Sequence, residues 1–131
     1  MSGDGMRAVD TNVLVRLITR DDARQTARAE RFIEKGAWVS HLVLIETMWV
    51  LATVYEVGPA KIALAVEMLL KHDRLTVQGV EIVEAAVEEF RQRPGVGFSD
   101  CLVLEVARKA GHLPLGTFDR DLAGLNGVEK L

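Results

Sequence analysis

Four acidic residues stand where a folded chain seldom keeps a carboxylate, and together they have the chemistry to hold a cation. Asp10 closes the first apolar segment, and Glu46 lies inside an almost wholly apolar helix. Asp100 stands at a helix start, and Asp119 follows a late strand. Buried or half-buried carboxylates repel one another and are costly unless something positive neutralises them. Four such acids brought together therefore indicate a bound metal ion.

The type of ligand predicts the type of metal. Clusters of carboxylate oxygens select hard cations such as Mg²⁺ or Mn²⁺ rather than zinc. None of His41, His72 and His112 stands at metal-ligand spacing with another histidine or a cysteine. Hard cations activate a water molecule and neutralise charge that develops on phosphate oxygens, so hydrolysis of a phosphodiester bond is the natural reaction.

Each acid also has an ordinary structural explanation. Asp10 alone fits a helix N-cap, and Asp100 alone fits the favourable end of a helix dipole. Glu46 would be tolerated if its carboxylate reached solvent or an arginine. Two of the four acids, however, follow strands at the same edge of a predicted parallel sheet, and the other two lie on helices that can lean over that edge. This joint placement favours a metal site over four separate structural roles.

The fourth acidic position is doubled, because Asp121 follows Asp119 two residues later. Either residue can cap the short turn over residues 122–125. We expect Asp119 to belong to the site and Asp121 to be accessory or capping.

The elements that must position these acids are predicted by short apolar runs that alternate with helical periodicity. This alternation is typical of an α/β fold, a three-layer α/β/α sandwich with a short, mainly parallel central sheet of about four to five strands. Strands are predicted at residues 7–9, 37–39, 75–77, 112–116 and, more weakly, 127–131. Helices are predicted at residues 13–19, 42–55, 59–70 and 80–92, with two more ending at residues 35 and 110.

Helix ends carry their own signals. We expect Asp21 or Asp22 to cap the second helix, Ser40 the third, and Ser99 the helix that carries Asp100. Gly111 is predicted just beyond the end of that last helix. The third helix is apolar nearly all round, which is typical of a helix buried on several sides or shared with another subunit.

Composition limits the class of protein. The 131 residues fit a single domain over residues 6–131, with residues 1–5 as a flexible extension. The single cysteine, Cys101, excludes a disulfide framework, and its apolar neighbours predict core packing. No apolar stretch is long enough to span a bilayer, so we expect a cytoplasmic protein with no membrane partner.

Several short motifs stand in the order known from one protein family. They are Val9-Asp10-Thr11-Asn12-Val13-Leu14, the helical Glu46, Phe98-Ser99-Asp100-Cys101-Leu102, and Thr117-Phe118-Asp119-Arg120-Asp121-Leu122, ending in Gly127-Val128-Glu129. Over residues 6–131 this arrangement resembles the PIN domain, and within that family the VapC-type ribonuclease toxins of toxin-antitoxin pairs.

The resemblance implies an endoribonuclease that depends on Mg²⁺ or Mn²⁺ and cuts single-stranded or loop RNA. It also implies a homodimer that is silenced by a cognate antitoxin protein laid across the active-site groove. The implied catalytic residues are Asp10, Glu46, Asp100 and Asp119, with Asp10, Asp100 and Asp119 as metal ligands. The implied accessory residues are Thr11, Asn12, Thr117 and Asp121.

RNA would need positive charge beside these acids. The net charge of −3 disfavours a surface that attracts nucleic acid as a whole, so RNA must meet a local basic patch. Candidate contacts are Arg16, one turn beyond Asp10, and the stripe on the second helix that begins with Arg20 and Arg24. The alternatives are a solvated helix face balanced by its own glutamates and, for Arg16, a tether to an acid.

Two other functions compete with this interpretation. Phosphoacceptor and phosphatase domains also place acids at strand ends, but the Asp-x-Asp pair after the first strand and the late strand-end lysine typical of them are both missing here. The second is a non-catalytic binding module whose acidic cluster docks a basic peptide or partner. Metal-dependent cleavage of RNA separates that module from an enzyme.

Overall fold

The computed structural model describes residues 6–131, and the extension predicted at residues 1–5 lies outside the described residues. The described chain divides into two compact units. The first unit ends at Gln78, and the second is Gly79–Leu131.

The described part of the first unit is built on three parallel strands that are joined by helices. Its elements in chain order are β1 (Arg7–Ala8), α1 (Thr11–Thr19), α2 (Ala23–Phe32), β2 (Ala37–Val39), α3 (His41–Thr53), α4 (Pro59–Lys71) and β3 (Leu75–Val77). The strands hydrogen bond in the order β1, β2, β3, with Ala37 opposite Arg7 on one side and opposite Leu75 on the other. Because the strands are parallel, their carboxyl ends open on one edge of the sheet.

The second unit combines a helical pair with two strands. Its elements are α5 (Val80–Gln92), α6 (Phe98–Ala110), β4 (Leu115–Thr117), a 3₁₀ turn (Leu122–Gly124) and β5 (Val128–Lys130). Helices α5 and α6 pack against each other, and the rings of Phe90 and Phe98 meet edge to face with 6.1 Å between their centroids. Strands β4 and β5 pair in parallel.

The α/β class, the parallel strands and the existence of five strands within residues 6–131 are confirmed. Hydrogen bonds group the five strands as a sheet of three and a sheet of two. The bounds of β2, β3 and α5 are those expected from the sequence. Strand β4 begins three residues later than predicted, because His112 belongs to the end of α6 and Pro114 has no N–H to give a ladder.

Several helix caps are confirmed. Asp22 accepts a hydrogen bond from the backbone N–H of Gln25 at 3.0 Å, and Ser40 accepts one from Val43 at 3.1 Å. Gly111 adopts the left-handed conformation at the end of α6, with φ of 84°.

Two helix ends differ from prediction. Ser99 was expected to cap α6, but the cap is Gly97, whose carbonyl accepts from the N–H groups of Asp100 and Cys101 at 3.1 Å. Helix α6 therefore starts one residue before Ser99. Helix α2 ends at Phe32 rather than at residue 35, because the next residues form the turn that leads into Gly36 at a φ of 93°.

Helix α3 buries one face only. Its buried residues Leu44, Met48 and Leu51 recur at helical spacing, whereas Leu42 is 80% exposed and Trp49 is 62% exposed. The expectation of a helix buried on several sides is therefore wrong within this single chain. The exposed apolar face is what the second expectation, a helix shared with another subunit, would require.

The Ser40 hydroxyl should stabilise the start of α3. We expect Ser40→Ala to lower the free energy of unfolding by about 1 kcal/mol, because it removes the side-chain acceptor for the Val43 N–H. Urea unfolding followed by circular dichroism measures this loss. Ser40→Thr keeps the hydroxyl and should retain most of the stability, and an equal loss in both variants would contradict the cap.

Candidate active site

In the first unit, Asp10 lies just beyond the carboxyl end of β1. Val9 is buried and its N–H continues the ladder to the Trp38 carbonyl at 3.1 Å, which fixes the direction in which the chain leaves the sheet. The Asp10 side chain is exposed, and its Oδ1 accepts from the N–H of Val13 at 3.2 Å. Asp10 is therefore the N-cap of α1, which starts at Thr11 rather than at Val13 as predicted.

Glu46 reaches the same edge of the first unit from α3. The Thr11 hydroxyl donates a hydrogen bond to Glu46 Oε1, which joins Glu46 to the residue next to Asp10. Helix α3 begins directly after β2, the neighbour of β1, so the parallel pairing of these strands brings the two helix starts together. The structure thus gathers Asp10, Thr11 and Glu46 in one place.

Burial does not explain Glu46, contrary to the expectation from the sequence. Glu46 is exposed, as are its helical neighbours Leu42 and Trp49. It lies on the face of α3 opposite the buried residues Leu44 and Leu51. The prediction that the apolar helix α3 buries this carboxylate is therefore wrong, but the carboxylate does accept a hydrogen bond from Thr11.

In the second unit, Asp100 lies near Asp119. Asp100 is the third residue of α6 and is half-buried. Burial raises the pKa of Asp100, and the negative charge of Asp119 raises it further. Within this unit, neither carboxylate forms an ion pair with a lysine or arginine among the described residues. Two unneutralised acids therefore lie near each other, as a cation site requires.

Asp119 is held by its own loop. Its N–H donates to the Thr117 hydroxyl at 3.0 Å, and its Oδ1 accepts from the N–H groups of Asp121 and Leu122 at 2.8 and 3.1 Å. The expected capping role of Asp121 is wrong, because the Asp121 side chain makes no cap hydrogen bond. Asp119 makes these bonds because it stands two and three residues before the N–H groups that need an acceptor, the spacing of an Asx turn.

Each unit thus supplies two of the predicted acids. Within either unit, the described residues include no group of three or more His, Cys, Asp or Glu side chains that could hold a metal ion. A hard cation takes six or more oxygen ligands, some of them water. One site made from all four acids stays a prediction.

The arginines predicted to contact RNA differ in whether their guanidinium groups are already bonded within the protein. Arg16 Nε donates to Gln25 at 2.7 Å, and its NH1 group donates to Asp21 at 2.9 Å and to the Tyr55 hydroxyl at 3.2 Å. The bond to Tyr55 and the charge of Asp21 raise the pKa of Arg16. Arg16 is therefore the tether to an acid that was the alternative interpretation.

Arg20 and Arg24, the other two arginines predicted to contact RNA, differ from each other. Arg20 pairs with Glu30 at 2.9 Å. Arg24 forms no hydrogen bond or ion pair among the described residues of the first unit, and it is exposed. Arg24 is thus the one member of the three whose guanidinium is uncommitted.

Sequence reasoning missed Tyr55, which completes the Arg16 network. Its hydroxyl donates to Asp21 Oδ2 at 2.8 Å, and Asp21 also accepts from the Thr19 hydroxyl. The bonds from Thr19 and Tyr55 lower the pKa of Asp21. The partners Arg16 and Tyr55 are 39 residues apart, so no local pattern signals their contact.

A second missed feature is a pair of glutamates between α5 and α6. Glu105 is only 9% exposed and is contacted by Arg108 Nε at 3.3 Å, while Arg108 also donates to the Asn126 carbonyl at 2.8 Å. Among the described residues, Glu89 Oε1 is buried without a hydrogen-bond partner. Burial, and then the nearby carboxylate of Glu105, raise the pKa of Glu89 to about 7. Arg108 pairs with Glu105 and not with Glu89, so the Glu89 carboxyl loses its proton only as the pH approaches about 7.

Cys101 lies in the same interior. It is fully buried, and burial raises the pKa of its thiol to about 12, with smaller contributions from the charges of Glu89 and Asp100. The expected packing role of Cys101 is confirmed, because a protonated, buried thiol is neither a nucleophile nor a ready metal ligand. His112 is exposed just beyond the end of α6.

Comparison with models of protein families identifies the family of this chain. The family model described as PIN domain matches residues 7–128, which include all four predicted acids. No curated protein matches the chain. Over residues 6–131, no helix is both long and apolar enough to cross a membrane.

The Glu89 carboxyl should make stability depend on pH. Its pKa is about 7 in the folded chain against an ordinary value of 4.5, so the folded chain holds this proton more tightly than the unfolded chain. This contribution to the free energy of unfolding is therefore full at low pH and is lost as pH rises through about 7. We expect Glu89→Gln, which cannot titrate, to gain stability relative to wild type as pH rises from about 5 to about 8.

Urea unfolding at several pH values measures that difference. Glu84→Gln is the matched control, because Glu84 lies on the same helix but is exposed. Its unfolding curves should follow those of wild type across the range. A constant difference between Glu89→Gln and wild type would show that Glu89 is ionised throughout.

Proposed function

Because this chain belongs to the PIN domain family, a family of nuclease domains that are typically metal-dependent hydrolases, we propose that it is an endoribonuclease dependent on Mg²⁺ or Mn²⁺. The observation that carries the proposal is that Asp119 lies close enough to raise the pKa of Asp100, while neither carboxylate pairs with a lysine or arginine among the described residues of their unit. A bound cation would neutralise these carboxylates. Carboxylate oxygens are the donors that hard cations prefer, so the residues fit the metal.

The proposed roles follow from how each side chain is held. Asp10, Asp100 and Asp119 serve as metal ligands, and Glu46 orients the attacking water. The Thr11 hydroxyl fixes Glu46, and the Thr117 hydroxyl fixes the loop of Asp119. The bound cation would supply activation of water and neutralisation of the charge that develops on the phosphate.

Uncharged hydrogen-bond donors suit a site whose carboxylates must bind a metal ion. The Val13 N–H and the Thr11 hydroxyl orient carboxylate oxygens without cancelling their charge. A lysine or arginine in the same place would compete with the metal. Asn12, exposed beside Asp10, and Asp121, exposed beside Asp119, are the proposed accessory residues.

The biological setting is a further part of the proposal. The motifs around Asp10, Asp100 and Asp119 support a VapC-type toxin that acts on cytoplasmic RNA and is restrained by a cognate antitoxin. The exposed face of α3, with Leu42 and Trp49, supports a homodimer, because apolar residues of this size favour contact with another chain. An antitoxin that inserts an arginine or lysine among the acids would displace the metal, so added Mg²⁺ should weaken the inhibition.

Removal of one ligand charge should abolish cleavage. We expect Asp10→Asn to reduce Mg²⁺- or Mn²⁺-dependent cleavage of a structured RNA pool at least about 100-fold, since even outer partners of metal ligands typically contribute 10- to 100-fold. The measurement is fragment analysis of that pool with each metal and with EDTA.

Asp22→Asn is the matched control for Asp10→Asn. Both residues are N-caps whose Oδ1 accepts from the N–H three residues later, and asparagine preserves such caps. Only the change at Asp10 should affect cleavage. Equal activity of wild type and Asp10→Asn would favour the non-catalytic binding module instead.

The doubled acid near the end of the chain gives a second comparison. We expect Asp119→Asn to lose cleavage at least about 100-fold and Asp121→Asn to change it less than about fivefold, because the Asp121 carboxylate is exposed and caps nothing. Asparagine can still accept the Asp121 and Leu122 N–H groups, so the loop of Asp119 should persist. The reverse order of effects would assign the metal to Asp121.

A further inference from the structure

A cavity of about 540 Å³ opens in the first unit between α1 and α2. It is lined by Asn12, Val13, Arg16, Gln25, Arg28, Ala29 and Phe32. Binding pockets for small molecules typically measure about 300 to 1,000 Å³, so the cavity is large enough for a nucleotide.

The cavity adjoins the residue proposed to bind metal. Val13 contributes to its lining, and the Val13 N–H is the group that donates to Asp10 Oδ1 at 3.2 Å. Asn12 lies between these two residues in sequence and is exposed. A molecule in the cavity would therefore sit within about one helical turn of Asp10.

The charged residues of the cavity lining, Arg16 and Arg28, are both cations. No aspartate or glutamate is part of its lining. Gln25 accepts the Arg16 Nε–H at its Oε1 atom, which leaves the amide NH₂ of Gln25 to donate. Arg28 is exposed and forms no hydrogen bond or ion pair among the described residues of the first unit. A cavity of this kind suits a ligand rich in acceptors, such as a phosphate ester.

The rest of the wall is apolar. Ala29 is buried and Phe32 is half-buried, and the guanidinium of Arg7 lies 3.9 Å from the centre of the Phe32 ring. Arg7 also donates to the Phe32 carbonyl at 3.0 Å, so the aromatic side chain is held in place. Proteins that bind single-stranded RNA commonly place a base against an aromatic ring and an adjacent phosphate against an arginine.

We propose that this cavity holds the nucleotide next to the cleaved phosphodiester, with Arg28 bound to its phosphate and Gln25 donating to its base. The inference rests on the proposed nuclease function and names a substrate subsite for it. Arg28 thereby replaces Arg16 and Arg20, which are paired within the protein, as the principal RNA contact of this region.

The test measures binding of uridine 5′-monophosphate to the metal-free protein by isothermal titration calorimetry. We expect saturable binding that Arg28→Gln weakens about tenfold or more, which corresponds to one hydrogen bond with a charged group. Uridine, which has no phosphate, and inorganic phosphate, which has no base, should each bind at least about tenfold more weakly than the nucleotide.

Lys71→Gln is the control. Lys71 lies on α4 in the first unit, is exposed, and is not part of the cavity lining. The variant also removes one positive charge, so it should change the affinity less than about twofold. Equal effects of Lys71→Gln and Arg28→Gln, or no binding at millimolar nucleotide, would overturn the proposal.

The cleavage assay separates this inference from the function on which it rests. If Asp10→Asn abolishes cleavage while Arg28→Gln leaves nucleotide affinity unchanged, the nuclease stands and the subsite is wrong. If Arg28 controls nucleotide affinity but no metal supports cleavage of RNA, the cavity binds nucleotides and the nuclease is wrong.

Discussion

The candidate active site depends on carboxylates that are held in fixed orientations but are not neutralised. Within its own unit, none of Asp10, Glu46, Asp100 and Asp119 pairs with a lysine or arginine among the described residues. Arg16, Arg20 and Arg108 pair instead with Asp21, Glu30 and Glu105, respectively. The chain thus separates two populations of acids. One population stabilises the fold through ion pairs, and the other is held by hydroxyl and backbone donors that leave its charge intact.

The strands of the first unit can be very short, because they need only fix the directions in which the following helices leave the sheet. Strands β1 and β2 have two and three residues, yet their parallel pairing brings the start of α1 and the start of α3 to the same edge of the sheet. Ladders of this length contribute few hydrogen bonds. The buried faces of the helices, such as Leu44, Met48 and Leu51 of α3, must therefore provide most of the stability.

The sequence predicted those elements whose signals are local. The apolar runs of β2 and β3 and the charged and apolar faces of α5 are each visible within a few residues, and their bounds agree with the structure. The exposure of Glu46 could not be predicted, because α3 is apolar nearly all round and its sequence does not reveal which face meets the core. Asp119 and Asp121 both stand at capping distance from the same turn, so only coordinates distinguish them. Contacts between distant residues, such as Arg16 with Tyr55 and Glu89 with Glu105, have no local signal at all.

The burial of Cys101 makes the chain its own reporter of unfolding. A thiol with a pKa of about 12 contains almost no thiolate near neutral pH, and it is shielded from reagents while the second unit is closed. Alkylation requires the thiolate, so a reagent can modify Cys101 only in molecules whose second unit has opened. Because the chain has a single cysteine, the rate of its labelling counts these opening events without any engineered probe.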